Sequence, residues 1–182
     1  MAISLSYSSS LLLSILLLSF LLLNHESDAA ANELLNSICS TTSKPALCVK
    51  ALKSDPRTAK ADIKGLGGIT IDLAQSNAKS TKNMIGSLIK QTSDHKLKGT
   101  YQTCHENYVD AISDLDRCKK HLESGDYASL NIHGSAALDG PDTCNDNFEG
   151  PLAESSKLKQ ANEHLEGLCS TILAISSRLK PK

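Results

Sequence analysis

LKGTYQTCHENYVDAISDLDRCKKHL, residues 97–122, places Leu97, Tyr101, Cys104, Tyr108, Ala111, Leu115, Cys118 and Leu122 at alternating steps of four and three. That rhythm gathers these side chains on one side of an α-helix, as a seam that must be covered by other helices. The same steps recur through Leu158, Ala161, Leu165, Leu168, Ile172, Ile175 and Leu179, and more loosely through Ile63, Leu66, Ile69, Leu73, Met84, Ile85 and Leu88. Between the first two seams, Tyr127 to Asp146 offers Leu130, Ala137 and Leu138 as apolar positions. Strand-like runs are few, and with no Trp, two Phe and four Tyr the core has to be aliphatic.

Helix-stopping and helix-starting residues fall between the seams. Asp55-Pro56 ends a short first segment, and Ser93-Asp94 can cap the helix that follows the looser seam. Ser124-Gly125-Asp126 closes that helix and caps the next, and Gly150-Pro151 precedes the last. Connections this short force antiparallel neighbours. The expected fold is all-α: an up-and-down four-helix bundle over residues 57–182, preceded by an N-terminal helical hairpin at residues 31–56. No internal repeat is seen.

Leu11 to Leu23 is an uncharged run too short for a bilayer span, and SDAAAN follows it. Residues 1–30 therefore read as a secretory signal peptide, with the mature chain starting near Ala31. Its removal deletes Glu26 and Asp28 and no Lys or Arg, which moves the formal charge from −1 to +1. That balance gives no global steering toward nucleic acid or membrane. About 150 mature residues suit one self-sufficient core.

An exported chain is allowed disulfides, and six thiols permit 15 pairings. Cys39 and Cys48 flank the Pro-containing turn TTSKPAL, so they are expected to bridge within the hairpin. Cys104 lies early in the second bundle helix and Cys144 late in the third, so antiparallel packing brings them level and a bridge would fasten the two helices. Cys118 is 14 residues past Cys104, about 21 Å along a helix, and cannot compete for Cys144. It is read as a buried free thiol. Cys169, expected nearer the level of Cys104, is read in the same way.

Signatures of hydrolase, zinc-protease, redox and nucleotide sites are missing: no Gly-x-Ser-x-Gly, His-Glu-x-x-His or Cys-x-x-Cys occurs. Gly65-Leu66-Gly67-Gly68 has neither the strand nor the spacing of a dinucleotide loop and is read as easing close helix packing. Histidines 25, 95, 105, 121, 133 and 164 show no i, i+4 ligand pair. No metal or other cofactor is expected, and no N-glycan, because no Asn-x-Ser/Thr occurs.

One polar constellation stands out. Glu106, Asp110 and Asp114 recur at i, i+4 and i+8 with no base among them. Like charges at that spacing cost a few tenths of a kcal/mol per pair. The plain reading is a solvated face; the functional one is a docking face for a basic partner surface. Thr143 and Asp146, flanking Cys144, would be held near this stripe by a bridge to Cys104.

KSDPRTAKADIKGLGGITIDLAQ (53–75), DHKLKGTYQTCHENYVDAISDL (94–115) and SGDYASLNIHGSAALDGPDTCNDNFEGP (124–151) give the mature chain its resemblance to the plant invertase and pectin methylesterase inhibitor family, nearest to its fruit esterase inhibitors. The resemblance implies a four-helix bundle with an N-terminal hairpin, the bridges Cys39–Cys48 and Cys104–Cys144, and a free Cys169. It further implies an enzyme inhibitor rather than an enzyme. Such a protein is expected to be secreted to the cell wall and to cover the pectin-binding cleft of pectin methylesterase in a 1:1 complex, with Glu106, Asp110, Thr143 and Asp146 as contacts. Asp114 departs from the pattern: fruit relatives place the acidic residue one position earlier, so Ser113 and Asp114 read as exchanged. Cys118 is a second departure, because relatives usually carry Ala there. Inhibitors of acid invertase share the fold and tend to carry Pro-Lys-Phe where this chain has Gly125-Asp126-Tyr127-Ala128-Ser129, which favours the esterase. A secreted bundle with no enzyme target, and a homodimer formed through the hairpin, remain open at this point.

Overall fold

Three of the four long helices begin on an aspartate that accepts a backbone N–H three residues on. Asp62 Oδ1 takes Gly65 N–H at 2.7 Å, Asp94 takes Leu97 N–H at 2.8 Å, and Asp126 takes Ser129 N–H at 3.0 Å. Each cap satisfies an otherwise orphaned donor and contributes about 1 kcal/mol. The computed structural model describes residues 31–148 and 155–179, together with the single residue 15. The expected signal peptide, residue 15 apart, and the Gly150-Pro151 break fall outside the described residues.

Among these residues the helices are α1 (31–39), α2 (Pro45–Lys53), α3 (Ile63–Gln91), α4 (His95–Ser124), α5 (Tyr127–Asp146) and α6 (Ser156–Leu179), with a 3-10 turn at Pro56–Lys60 between α2 and α3. The long helices pack α3 on α4, α4 on α5, α5 on α6 and α6 back on α3, which is the up-and-down four-helix bundle. Gly125 makes the α4–α5 turn possible: at φ 78° it holds the left-handed conformation that ends α4, and its N–H and the next close back on α4 carbonyls.

On α4 the expected seam is the observed core face. Tyr101, Cys104, Tyr108, Ala111, Leu115, Cys118 and Leu122 are all buried, and Leu97 is half-buried at the helix start. On α3 Leu66, Ile69 and Ile85 of the expected seam are buried, Ile63, Leu73, Met84 and Leu88 are only half-buried, and the line facing the bundle also takes in Gly67, Ile71, Ala74, Ala78 and Thr81. Small residues form that line because α3 packs against both α4 and α6 and short side chains let three backbones approach. Gly67, facing Ile175 and Leu122, bears out the packing role given to its glycine cluster, whereas Gly65 is at the helix cap. On α6, Ala161 is half-buried and the neighbouring Asn162 is completely buried.

The hairpin has a core of its own. Leu35, Ile38, Cys39, Cys48 and Leu52 pack on Leu66 and Ile69 of α3 and on Ile175 of α6. The Cys39–Cys48 bridge, with Cα atoms 5.5 Å apart, ties α1 to α2. Gly167 lets α2 settle on α6: a Cβ there would lie 2.7 Å from Leu47 Cδ2. Polar contacts hold the rim, with Ser43 N–H donating to Ser170 Oγ at 2.9 Å and Arg178 donating to Ser37 Oγ at 2.8 Å and to the Ser37 carbonyl. At its exit Arg57 pairs with Asp55 at 2.7 Å and with Asp72 of α3 at 2.9 Å.

Cys104–Cys144 joins α4 to α5 with Cα atoms 4.8 Å apart, and Cys118 and Cys169 are free and buried, as read from spacing. The level of Cys169 differs from expectation. Gly134 abuts Ile172, so Cys169 lies opposite Ala137 of α5, and it is close enough to Cys118 for that thiol to oppose its ionisation. Burial first, and the Asp114 carboxylate second, push the Cys118 thiol up to about 12; burial raises Cys169 as well. Neither thiolate forms at neutral pH. A disulfide-exchange reagent is expected to find essentially no thiol in the native protein and two after denaturation without reductant. A fast-reacting native thiol would contradict this packing.

His164 of α6 supplies a pH dependence. Asn77 Nδ2 donates to its Nδ1 at 3.1 Å, so the remaining ring proton sits on Nε2. Burial, then the charge of Lys50, lowers its pKa below the ordinary 6.5. As pH falls below about 6.5 the unfolded chain takes up this proton first, so stability drops with acidification. His164→Gln is expected to flatten the melting temperature profile between pH 7.5 and 5 relative to wild type; parallel profiles would remove His164 from the account.

Candidate functional site

Two features of α4 and α5 make one continuous surface. Gly140 of α5 has no Cβ, and one added there would lie 2.9 Å from Ala111 Cβ and 3.0 Å from the Asn107 carbonyl oxygen of α4. Further along, the disulfide fixes Cys104 against Cys144, and at the other end His133 Nδ1 meets Asp114 Oδ1 at 2.8 Å. These three points set an antiparallel register in which Thr143 comes level with Glu106, and Asp139 with Asp110. The two helices cannot slide past one another at the bridged end without breaking a covalent bond.

Glu106, Asp110, Thr143 and Asp146 are exposed, and among the described residues neither Glu106 nor Asp110 has an ion-pair partner. Asp114 is placed differently. Its side chain is 16% exposed, turned toward α5, where His133 holds it, and it also meets the Arg117 guanidinium at 3.3 Å. The stripe read from the sequence is thus two open carboxylates and one engaged one. Position 113, where fruit relatives were read as acidic, is an exposed Ser.

Sequence reasoning missed the rest of the face. Asp139 and Asp142 are exposed on α5, and Glu166 of α6 lies close by. Burial, and then the charges of Glu166, Asp139 and Asp146, hold the Asp142 carboxyl above the usual carboxylate range. The signal was available: Asp139, Asp142 and Asp146 stand at i, i+3 and i+7, helical-face spacing in the same segment that carries Cys144.

Beneath this face runs a chain of polar contacts. Tyr108 Oη donates to Asn162 Oδ1 at 2.6 Å, Asn162 Nδ2 to Asn145 Oδ1 at 2.6 Å, and Asn145 Nδ2 to Glu166 Oε1 at 2.6 Å. Lys44 of the hairpin then closes on Glu166 Oε2 at 2.8 Å. Every donor points toward the Glu166 carboxylate, and the chain ties α4, α5, α6 and the hairpin at one level.

No group of three His, Cys, Asp or Glu among the described residues is arranged to hold a metal ion, and no described helix is long and apolar enough to cross a membrane. What the surface offers chemically is rigidly held charge: carboxylates fixed on a bridged helix pair, able to meet cations of a macromolecule without the entropy cost of ordering a loop.

A disulfide-fastened helical bundle presenting such a face is a recognition protein, whose chemistry is that of an interface. The chain belongs to the plant invertase/pectin methylesterase inhibitor family, whose signature matches residues 33–175. A pectinesterase inhibitor of Actinidia deliciosa is 51% identical over 178 residues, 96% of this chain and 96% of that one. A cell wall/vacuolar inhibitor of fructosidase from Arabidopsis thaliana is 35% identical over 149 residues, 80% of this chain and 83% of its own. The crystal structure of a mutant form of a pectin methylesterase inhibitor from Arabidopsis aligns with a TM-score of 0.75 at 32% identity, over 81% of this chain and 98% of that one.

Proposed function

We propose that this protein is an inhibitor of pectin methylesterase, secreted to the cell wall, where it limits removal of methyl esters from pectin. The observation that carries the reading is the 51% identity to a pectinesterase inhibitor along nearly the whole of both chains, against 35% over a shorter span for the fructosidase inhibitor. In this reading Glu106, Asp110, Thr143 and Asp146 lie against the enzyme's substrate cleft and exclude the polymer, one inhibitor to one enzyme. A cleft that handles a polyuronate must tolerate carboxylates, so an acidic helix face complements it. Asp114, tied to His133, borders that contact and braces α4 against α5.

The deciding experiment titrates purified residues 31–182 into a plant pectin methylesterase and, in parallel, an acid invertase. Stoichiometric loss of esterase activity with invertase untouched is expected; loss of invertase activity alone would reassign the target, and no loss of either would leave a bundle without an enzyme partner. Light scattering of the esterase mixture is expected to give the mass of one inhibitor on one enzyme. Two inhibitor copies would place the hairpin between molecules.

Within this reading Asp110→Lys should leave the melting temperature nearly unchanged, since exposed helix substitutions usually stay within about 0.5 kcal/mol. Inhibition should weaken by roughly tenfold or more, the effect of placing like charge against a basic surface. Undiminished inhibition would take Asp110 out of the interface.

A further inference from the structure

The α3–α4 seam changes character halfway along. In its lower half Asp72 meets Lys119 at 2.9 Å and Gln75 meets Asp116 at 2.6 Å, so the facing flanks are matched. Those contacts fix an antiparallel register, and following it upward brings Lys79, Lys82 and Lys90 of α3 and Lys98 of α4 onto the same two flanks. None of the four has an ion-pair partner among the described residues. Between residues 76 and 105 the sequence holds one carboxylate, Asp94, and its Oδ1 caps α4 at Leu97 N–H. Lys79 to Lys90 spans about 16 Å at 1.5 Å per residue, and Lys98 continues the line past the turn. Glu106 and Asp110 project from the solvent side of α4, off this flank.

From this line we propose that the upper α3–α4 flank is an anchoring site for a linear polyuronate, the free-carboxylate form of pectin, separate from the acidic docking face. The choice of ligand rests on the function proposed above: hydrolysis of pectin methyl esters leaves carboxylates along the polymer, so the inhibited enzyme is surrounded by a polyanion. The chemistry of the flank agrees. Spaced lysines are mobile point charges suited to repeated single anions. No aromatic side chain interrupts the line from Lys79 to Lys98 to stack nucleic-acid bases. Anchoring would concentrate the inhibitor where de-esterification has advanced, through effective concentration and with no new contact to the enzyme.

The test passes wild-type residues 31–182 over immobilised polygalacturonate, fully methyl-esterified pectin and vesicles containing anionic lipid. Retention on polygalacturonate alone is expected, lost as salt rises from 0.05 to about 0.5 M because exposed charges are screened. K79Q/K82Q/K90Q/K98Q should bind at least tenfold more weakly, and the corresponding four Lys→Arg changes should keep binding. Both variants should keep the wild-type helical circular dichroism and form the esterase complex within about threefold of wild type. Equal retention on esterified pectin, retention of the Gln variant, or equal binding to vesicles would overturn the assignment. Loss of the esterase complex in the Gln variant would instead make the flank part of the enzyme interface. Failure of wild type to inhibit any esterase, with polymer retention intact, would remove the proposed function and leave the polyanion site standing.

Discussion

Replacing Cys104 and Cys144 together by Ala should cost about 4 kcal/mol, the loop-closure value for a bridge spanning a sequence separation of 40. For a domain of this size that corresponds to a fall in melting temperature of roughly 8–16 °C. The bridge acts on more than the unfolded chain, because it sits one helical turn from the close α4–α5 contact at Gly140 and on the same segment as Thr143 and Asp146. Inhibition should weaken in the same variant at temperatures where it remains folded. Calorimetry settles the first part, and a double variant melting within 2 °C of wild type would show that packing alone holds the helix pair.

Asn162→Leu should destabilise by about 3 kcal/mol although Leu keeps the same branched side-chain skeleton as Asn. The Tyr108 hydroxyl would lose its 2.6 Å acceptor and Asn145 Oδ1 its 2.6 Å donor, the first in a completely buried place, and stranding a buried polar group costs roughly 1–3 kcal/mol. Tyr108→Phe should cost less, about 1–2 kcal/mol, since it disturbs one of those bonds. The informative measurement is the double variant. With both members of the innermost pair apolar, part of the stranding penalty disappears, so Tyr108→Phe with Asn162→Leu should fall short of the sum of the single effects by about 1 kcal/mol or more in denaturant titrations. Strict additivity would mean that the two side chains are not energetically coupled.

Asn162 also marks where reading the sequence stops. On α4 the periodicity identified every core position, because that helix buries large residues on one stripe and polar ones elsewhere. An Asn within the α6 seam is indistinguishable by pattern from a surface Asn, and the reading placed neighbouring Ala161 in the core instead. Its burial depends on Tyr108 and Asn145, which are 54 and 17 residues away, and on packing that periodicity does not encode. On α3 Leu66, Ile69 and Ile85 were legible, but the small members of the line escaped for a related reason: Ala74, Ala78 and Thr81 are small enough that hydropathy weighs them lightly, yet smallness is what the site requires. Both disulfides were legible, since covalent geometry and antiparallel register leave few solutions. Of the acidic face, Glu106 and Asp110 could be seen as an open pair; the engagement of Asp114 by His133 could not, because it is a contact between two helices.

Helix α4 keeps its core residues on one side and its open carboxylates on the other, with none serving both purposes. Substitutions at 106 or 110 therefore leave the folding determinants at 101, 104, 108 and 111 untouched. A lineage carrying this helix can explore new targets by surface change, without passing through misfolded intermediates. Divergence of inhibitory target on one scaffold, as between relatives named for pectinesterase and for fructosidase, is the evolutionary outcome such a division of labour permits.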